Sequence, residues 1–289
     1  MTGPGSHVNA TRWRRYCIAI RMSHVTTSDN VNLNLKDWGT GRPVILMHGW
    51  PLSADTFDDL AIAIADAGMR AIAYDRRGFG RSAQPWDGYN YDRLADDLAD
   101  VIKYAAADNA AIVGFSMGGG EVARYMSRHG GKGVSQAVLI ASVVPYMLKT
   151  ADHPNGVDQK VFDQMTKAMK EDRAKFWSGF FKDFYGGQVS DEVVEWSRAQ
   201  SMYASTKATL DCAKAFATTD FRPDLKSFKV PTLIIHGTRD QTVPIDATAR
   251  VAAKGIADSQ LIEYDGGPHG LLASHKQRVI DDVLAFLGR

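Results

Sequence analysis

Cysteine is almost missing from this chain. The two present, Cys17 and Cys212, lie far apart and outside any CxxC or Cys/His spacing, which excludes a disulfide framework and a thiolate zinc site. They read as reduced thiols of a cytoplasmic protein. No apolar run approaches the roughly 20 residues that span a bilayer, and "CIAI" after "RWRR" is too short for a signal-peptide core. Charge of one sign is missing too. With 34 Lys+Arg against 33 Asp+Glu, no net field favours nucleic acid or an anionic membrane, and partners should be small or neutral. There is no histidine cluster, no internal repeat and no low-complexity tract. What is there is a chain of 289 residues, 45% hydrophobic and 23% charged, enough for one large α/β domain or a core with an insertion.

Residues 1–22 differ from the rest. They carry Pro, Gly and four arginines without a period, and read as a non-functional extension, with Met22 as a possible natural start. From there strand-like runs alternate with amphipathic helical stretches: "VNLNLKDW", "PVILMHG", "RAIAYD", "AAIVGFS", "QAVLIAS", then "PTLIIHG" and "QLIEYDG". The strands are short and nearly all apolar, as burial on both faces requires, and the rhythm predicts a mostly parallel sheet flanked by helices. Residues 144–221 interrupt it with charged, aromatic-rich helical sequence such as "VFDQMTKAMKEDRAKFWSGFFKDFYGG". The expected organisation is a core of 23–143 and 222–289 with a helical cap, 144–221, inserted between two strands.

In such sheets ligands sit beyond the carboxyl ends of the strands. Ser116 stands there, in "GFSMG". Gly-x-Ser-x-Gly describes a nucleophile elbow, a sharp strand-to-helix turn that exposes the serine oxygen, with a helix beginning near Gly118. The pentapeptide alone is weak, so the context decides. A serine hydroxyl needs a base, and the base needs an acid to hold it. Asp240 follows the strand "PTLIIHG" and His269 follows "QLIEYDG", in the chain order Ser, Asp, His of the α/β-hydrolases. Asp265 competes for the acid role, but four residues before His269 on one loop it is badly placed to grip the far ring nitrogen. His48 and His236, at strand ends beside glycine, read as braces for their loops. The oxyanion should meet the N–H of Met117, after the nucleophile, and that of Trp50 in "HGWP".

Together "HGWP", "YDRRGFGRS", "VGFSMGGGEVARY", "TDFRPDL", "PTLIIHGTRDQTVP" and "GGPHGL" resemble the cofactor-free haloperoxidase, perhydrolase and aryl-esterase family of α/β-hydrolases, from about Met22 to Arg289. The resemblance implies an α/β-hydrolase fold, a Ser116, Asp240 and His269 triad, and an oxyanion hole of Trp50 and Met117. It implies acyl transfer from small aryl esters and short carboxylic acids to water or hydrogen peroxide, and oxidation of halide by the peracid formed. No metal or cofactor is called for. A pocket of Trp50, Pro51, Val143, Phe180 and Phe184 is expected, with Phe176, Phe180 and Phe184 on one helical face and Phe176 equally suited to packing the cap on the core. Pro51 resembles the perhydrolase members, where it would reset how Trp50 faces the acyl carbon. Such enzymes are commonly homo-oligomers, and a dimer, trimer or hexamer is expected. A lactamase or carbon-carbon bond hydrolase on the same triad, or a slow receptor-like relative, stays open.

Overall fold

The computed structural model describes residues 24–288; the extension 1–22, Cys17 included, lies outside them. The eight strands are β1 (His24–Thr26), β2 (Asn32–Gly39), β3 (Pro43–Met47), β4 (Arg70–Tyr74), β5 (Ala110–Phe115), β6 (Val134–Ile140), β7 (Thr232–Gly237) and β8 (Ser259–Tyr264). They form one sheet in the order β1-β2-β4-β3-β5-β6-β7-β8. β1 with β2 and β2 with β4 run antiparallel, and every later pairing is parallel. β3, β5 and β7 are buried along their whole length, because helices cover both faces and only apolar side chains can sit there.

Those helices are α1 (Asp58–Asp66), preceded by a 3₁₀ turn at Ala54–Phe57, α2 (Tyr91–Tyr104), α3 (Met117–Arg128), α8 (Ala249–Gly255), α9 (Leu271–Ser274) and α10 (Lys276–Leu287). α2 shows why they form. Asn90 caps it by accepting the Arg93 N–H, and Leu94, Leu98, Val101 and Ile102 repeat on its buried face. Between β6 and β7 the chain makes α4 (Gln159–Glu171), α5 (Arg173–Tyr185), α6 (Asp191–Tyr203) and α7 (Thr206–Thr218). Among the described residues 144–221 contains no strand, only isolated bridges at Leu148/Val157 and Thr150/His153.

The charged run 161–187 is two helices: Asp172, with φ −153°, ends α4 and caps α5 by accepting the Lys175 N–H, the local competition that keeps Asp out of helix interiors. The helix after the serine starts at Met117, one residue before Gly118. The parallel strands leave the loops after β3, β5, β7 and β8 on one rim.

Candidate active site

Ser116 follows β5 with φ 54° and ψ −116°, a left-sided conformation that a serine holds only when its surroundings fix it. Two glycines permit the turn. A Cβ on Gly114 would lie 2.5 Å from the Gly118 carbonyl oxygen, and one on Gly118 2.2 Å from that of Met47. The Ser116 N–H donates to the Ile140 carbonyl at 2.9 Å, tying the turn to β6.

Two further loops meet this hydroxyl. Ser116 Oγ lies 2.9 Å from His269 Nε2, and His269 Nδ1 lies 2.6 Å from Asp240 Oδ2. All three residues are buried. The other carboxylate oxygen, Asp240 Oδ1, accepts the N–H groups of Thr242 at 2.9 Å and Val243 at 2.7 Å. Burial pushes the Asp240 carboxyl up, but the charge and hydrogen bonds of His269 and His236 outweigh it and hold the group below the ordinary carboxylate range. Asp265 is exposed and accepts from Thr238 Oγ1 at 3.3 Å, while His269 Nδ1 is taken by Asp240.

Met117 opens α3, where helix geometry leaves its N–H without an acceptor in the helix. Trp50 follows the His48-Gly49 pair, and its indole N–H donates to the Thr209 carbonyl of α7 at 3.0 Å. A buried network braces this loop. His48 Nδ1 faces the Gly49 carbonyl at 2.8 Å, the Arg76 N–H donates to His48 Nε2 at 2.9 Å, and Arg76 Nη2 donates to the His48 carbonyl at 2.5 Å. Arg76 is also paired with Glu121, to which the Tyr74 hydroxyl donates at 2.7 Å. Burial pushes the Glu121 carboxyl up, against the pull of Arg76. "DRRG" and "GGGE" carried a family resemblance in the sequence but no hint of this contact, because its partners are 45 residues apart.

A cavity of about 260 Å³ opens on Ser116. Trp50, Val143 and Phe180 line it, with Phe176, Phe216 and the 241–243 loop. Phe184 and Pro51 are not among its lining residues, a correction to the expected pocket. Phe184 is buried and meets the His269 ring edge-on at 4.8 Å. The reason is rotation: each step of four residues advances about 40° around a helix, so Phe176 and Phe180 face the cavity while Phe184 has turned onto the imidazole. The Trp50-Pro51 peptide bond is cis. A larger groove of about 850 Å³ between α4 and α7 holds none of the three polar residues.

A family profile described as the alpha/beta hydrolase fold matches residues 42–276. The chain belongs to the alpha/beta-hydrolase family. Within this hydrolase family it is 41% identical to the non-heme chloroperoxidase of Kitasatospora aureofaciens over 271 residues, 91% of this chain and 98% of that one. It is 42% identical to a bifunctional esterase/perhydrolase of Acinetobacter calcoaceticus over 275 residues, 92% and 99% of the two chains. Among solved structures, a bromoperoxidase from Bacillus anthracis superimposes with a TM-score of 0.89 at 40% identity, covering 92% of this chain and 99% of that one. The hydrolase therefore sits among the non-heme haloperoxidases and is an enzyme of that type. No helix among its described residues is long and apolar enough to cross a membrane.

Proposed function

We propose that this hydrolase is a serine acyltransferase that hydrolyses small aryl esters and, with hydrogen peroxide as acceptor, forms peracids. The observation that carries the reading is the hydrogen-bonded run from Ser116 through His269 to Asp240, opening on an apolar cavity. Ser116 Oγ attacks the acyl carbon and passes its proton to His269 Nε2, while Asp240 stabilises the imidazolium. The N–H groups of Met117 and Trp50 receive the oxyanion. His269 then protonates the leaving alcohol, and the acyl-enzyme remains. Water or hydrogen peroxide gives its proton to His269 and attacks the acyl carbon; the bond from that carbon to Ser116 Oγ breaks, His269 returns the proton to Oγ, and acid or peracid leaves. The peracid passes an oxygen to bromide and leaves carboxylate and hypobromous acid. The chain supplies every group these steps need, so neither metal nor organic cofactor enters them.

In this reading 23–143 and 222–289 form the catalytic core and 144–221 the cap that shapes substrate choice. The fully buried thiol of Cys212, pushed up to about 12 by burial, suits a cytoplasmic enzyme that does not use it, and the protein works as a homo-oligomer. Ser116→Ala should lower aryl-acetate hydrolysis and peracetic acid formation together by about a thousandfold or more with an unchanged melting curve. A phosphonate ester should add its mass at Ser116. Retention of either activity in the alanine variant would sink the proposal.

A further inference from the structure

The Asp240 carboxylate has a second histidine against it. His236, at the end of β7, is wholly buried, and its Nε2 lies 2.8 Å from the Val243 carbonyl oxygen and 3.1 Å from Asp240 Oδ2. A carbonyl oxygen only accepts, so the ring proton sits on Nε2 and is shared between the two oxygens. Asp240 Oδ2 is the same oxygen that takes the His269 Nδ1 proton. Val243 completes a closed ring: its N–H donates to Asp240 Oδ1 and its carbonyl receives His236. His236 Nδ1 is buried without a hydrogen-bond partner, so the ring is anchored through Nε2 alone. The titratable and charged groups around it are Asp240, with His269 on the far side of that carboxylate, and Glu263, its register partner on β8, whose carboxylate is paired with Arg250.

We propose that His236 is a positioning residue for acyl transfer, fixing the Asp240 carboxylate and, through Val243, the 241–243 wall of the substrate cavity. The inference rests on the triad reading above. Without His236 the oxygen that holds His269 loses its second histidine donor, and the Val243 carbonyl loses its partner. A buried carboxylate short of one donor holds the imidazolium that forms at His269 more tightly, so the loss should appear in the pH profile as well as in the rate.

The test compares the parent enzyme with His236→Leu, which removes the donor, and His236→Gln, whose amide returns an N–H near the Nε2 position. With phenyl acetate, the leucine variant should lose about tenfold in kcat/KM, the scale of one hydrogen bond to a charged group, mainly in kcat. The acidic limb of its kcat/KM profile should move to higher pH, and glutamine should recover most of the rate and return the limb. If the leucine variant does not fold, His236→Asn, too short to reach Asp240, takes its place. A rate loss with an unmoved limb and no rescue by glutamine would show a merely structural ring and overturn the proposal. So would a folded leucine variant that behaves as the parent. Phosphonate labelling of the parent separates the two levels: an unlabelled Ser116 sinks the triad reading along with this proposal, whereas a labelled parent beside an unaffected variant sinks only this one.

Discussion

Single residues carry the chemistry here, and what limits each is the company it keeps in the interior. Glu121 and Arg76 are both fully buried, so removing one leaves the other as an uncompensated charge in low dielectric. Glu121→Gln should cost about 3 kcal/mol or more of unfolding free energy in urea titration, and weaken turnover by loosening the His48 loop that carries Trp50. His48 offers a pH-dependent counterpart. Its Nε2 accepts the Arg76 N–H, so the native ring has no place for a second proton, and burial beside Arg76 lowers its pKa well below 6.5. The unfolded chain takes up that proton as the pH falls below 6.5 and the native state does not, so stability should decline as pH falls through that range. Urea midpoints measured from pH 8 to 5 should show a steeper decline in the parent than in His48→Gln; equal slopes would remove His48 from the account.

At the scale of elements, α5 does two jobs with one row of phenylalanines. Phe176 and Phe180 wall the cavity, stacked with centroids 5.6 Å apart, while Phe184 packs on the His269 ring. Phe180 also meets the Trp50 indole edge-on at 5.6 Å. Phe180→Ala should therefore widen the cavity and shift preference from acetate toward longer esters by roughly tenfold, the scale of one or two methylenes in an apolar pocket. A chain-length series of aryl esters measures it, and an unchanged ratio would take Phe180 out of substrate selection. The elbow is the other decisive element. Strand, strained serine and helix were legible because glycine, serine and glycine have fixed offsets there, whereas the face on which Phe184 would lie was not, since a four-residue repeat drifts around a helix.

For the whole molecule, the parallel sheet converts four distant loops into one site: Ser116 and His269 are 153 residues apart and share a hydrogen bond. The expected homo-oligomer belongs to this scale as well. Sedimentation velocity at micromolar concentration should return a species of two or more chains. A single species near 31.7 kDa would overturn that expectation.

The sequence by itself determined the alternation of strand and helix, the helical character of the segment between β6 and β7 and the order of Ser116, Asp240 and His269, because each is written in local periodicity or at fixed offsets from glycine. Tertiary structure alone decided which polar groups meet across the rim. The Arg76 to Glu121 pair, the grip of His236 on Asp240 and the turn of Phe184 toward His269 depend on how strands align and helices rotate in three dimensions. Residues that touch only after folding leave no spacing in the chain to be read.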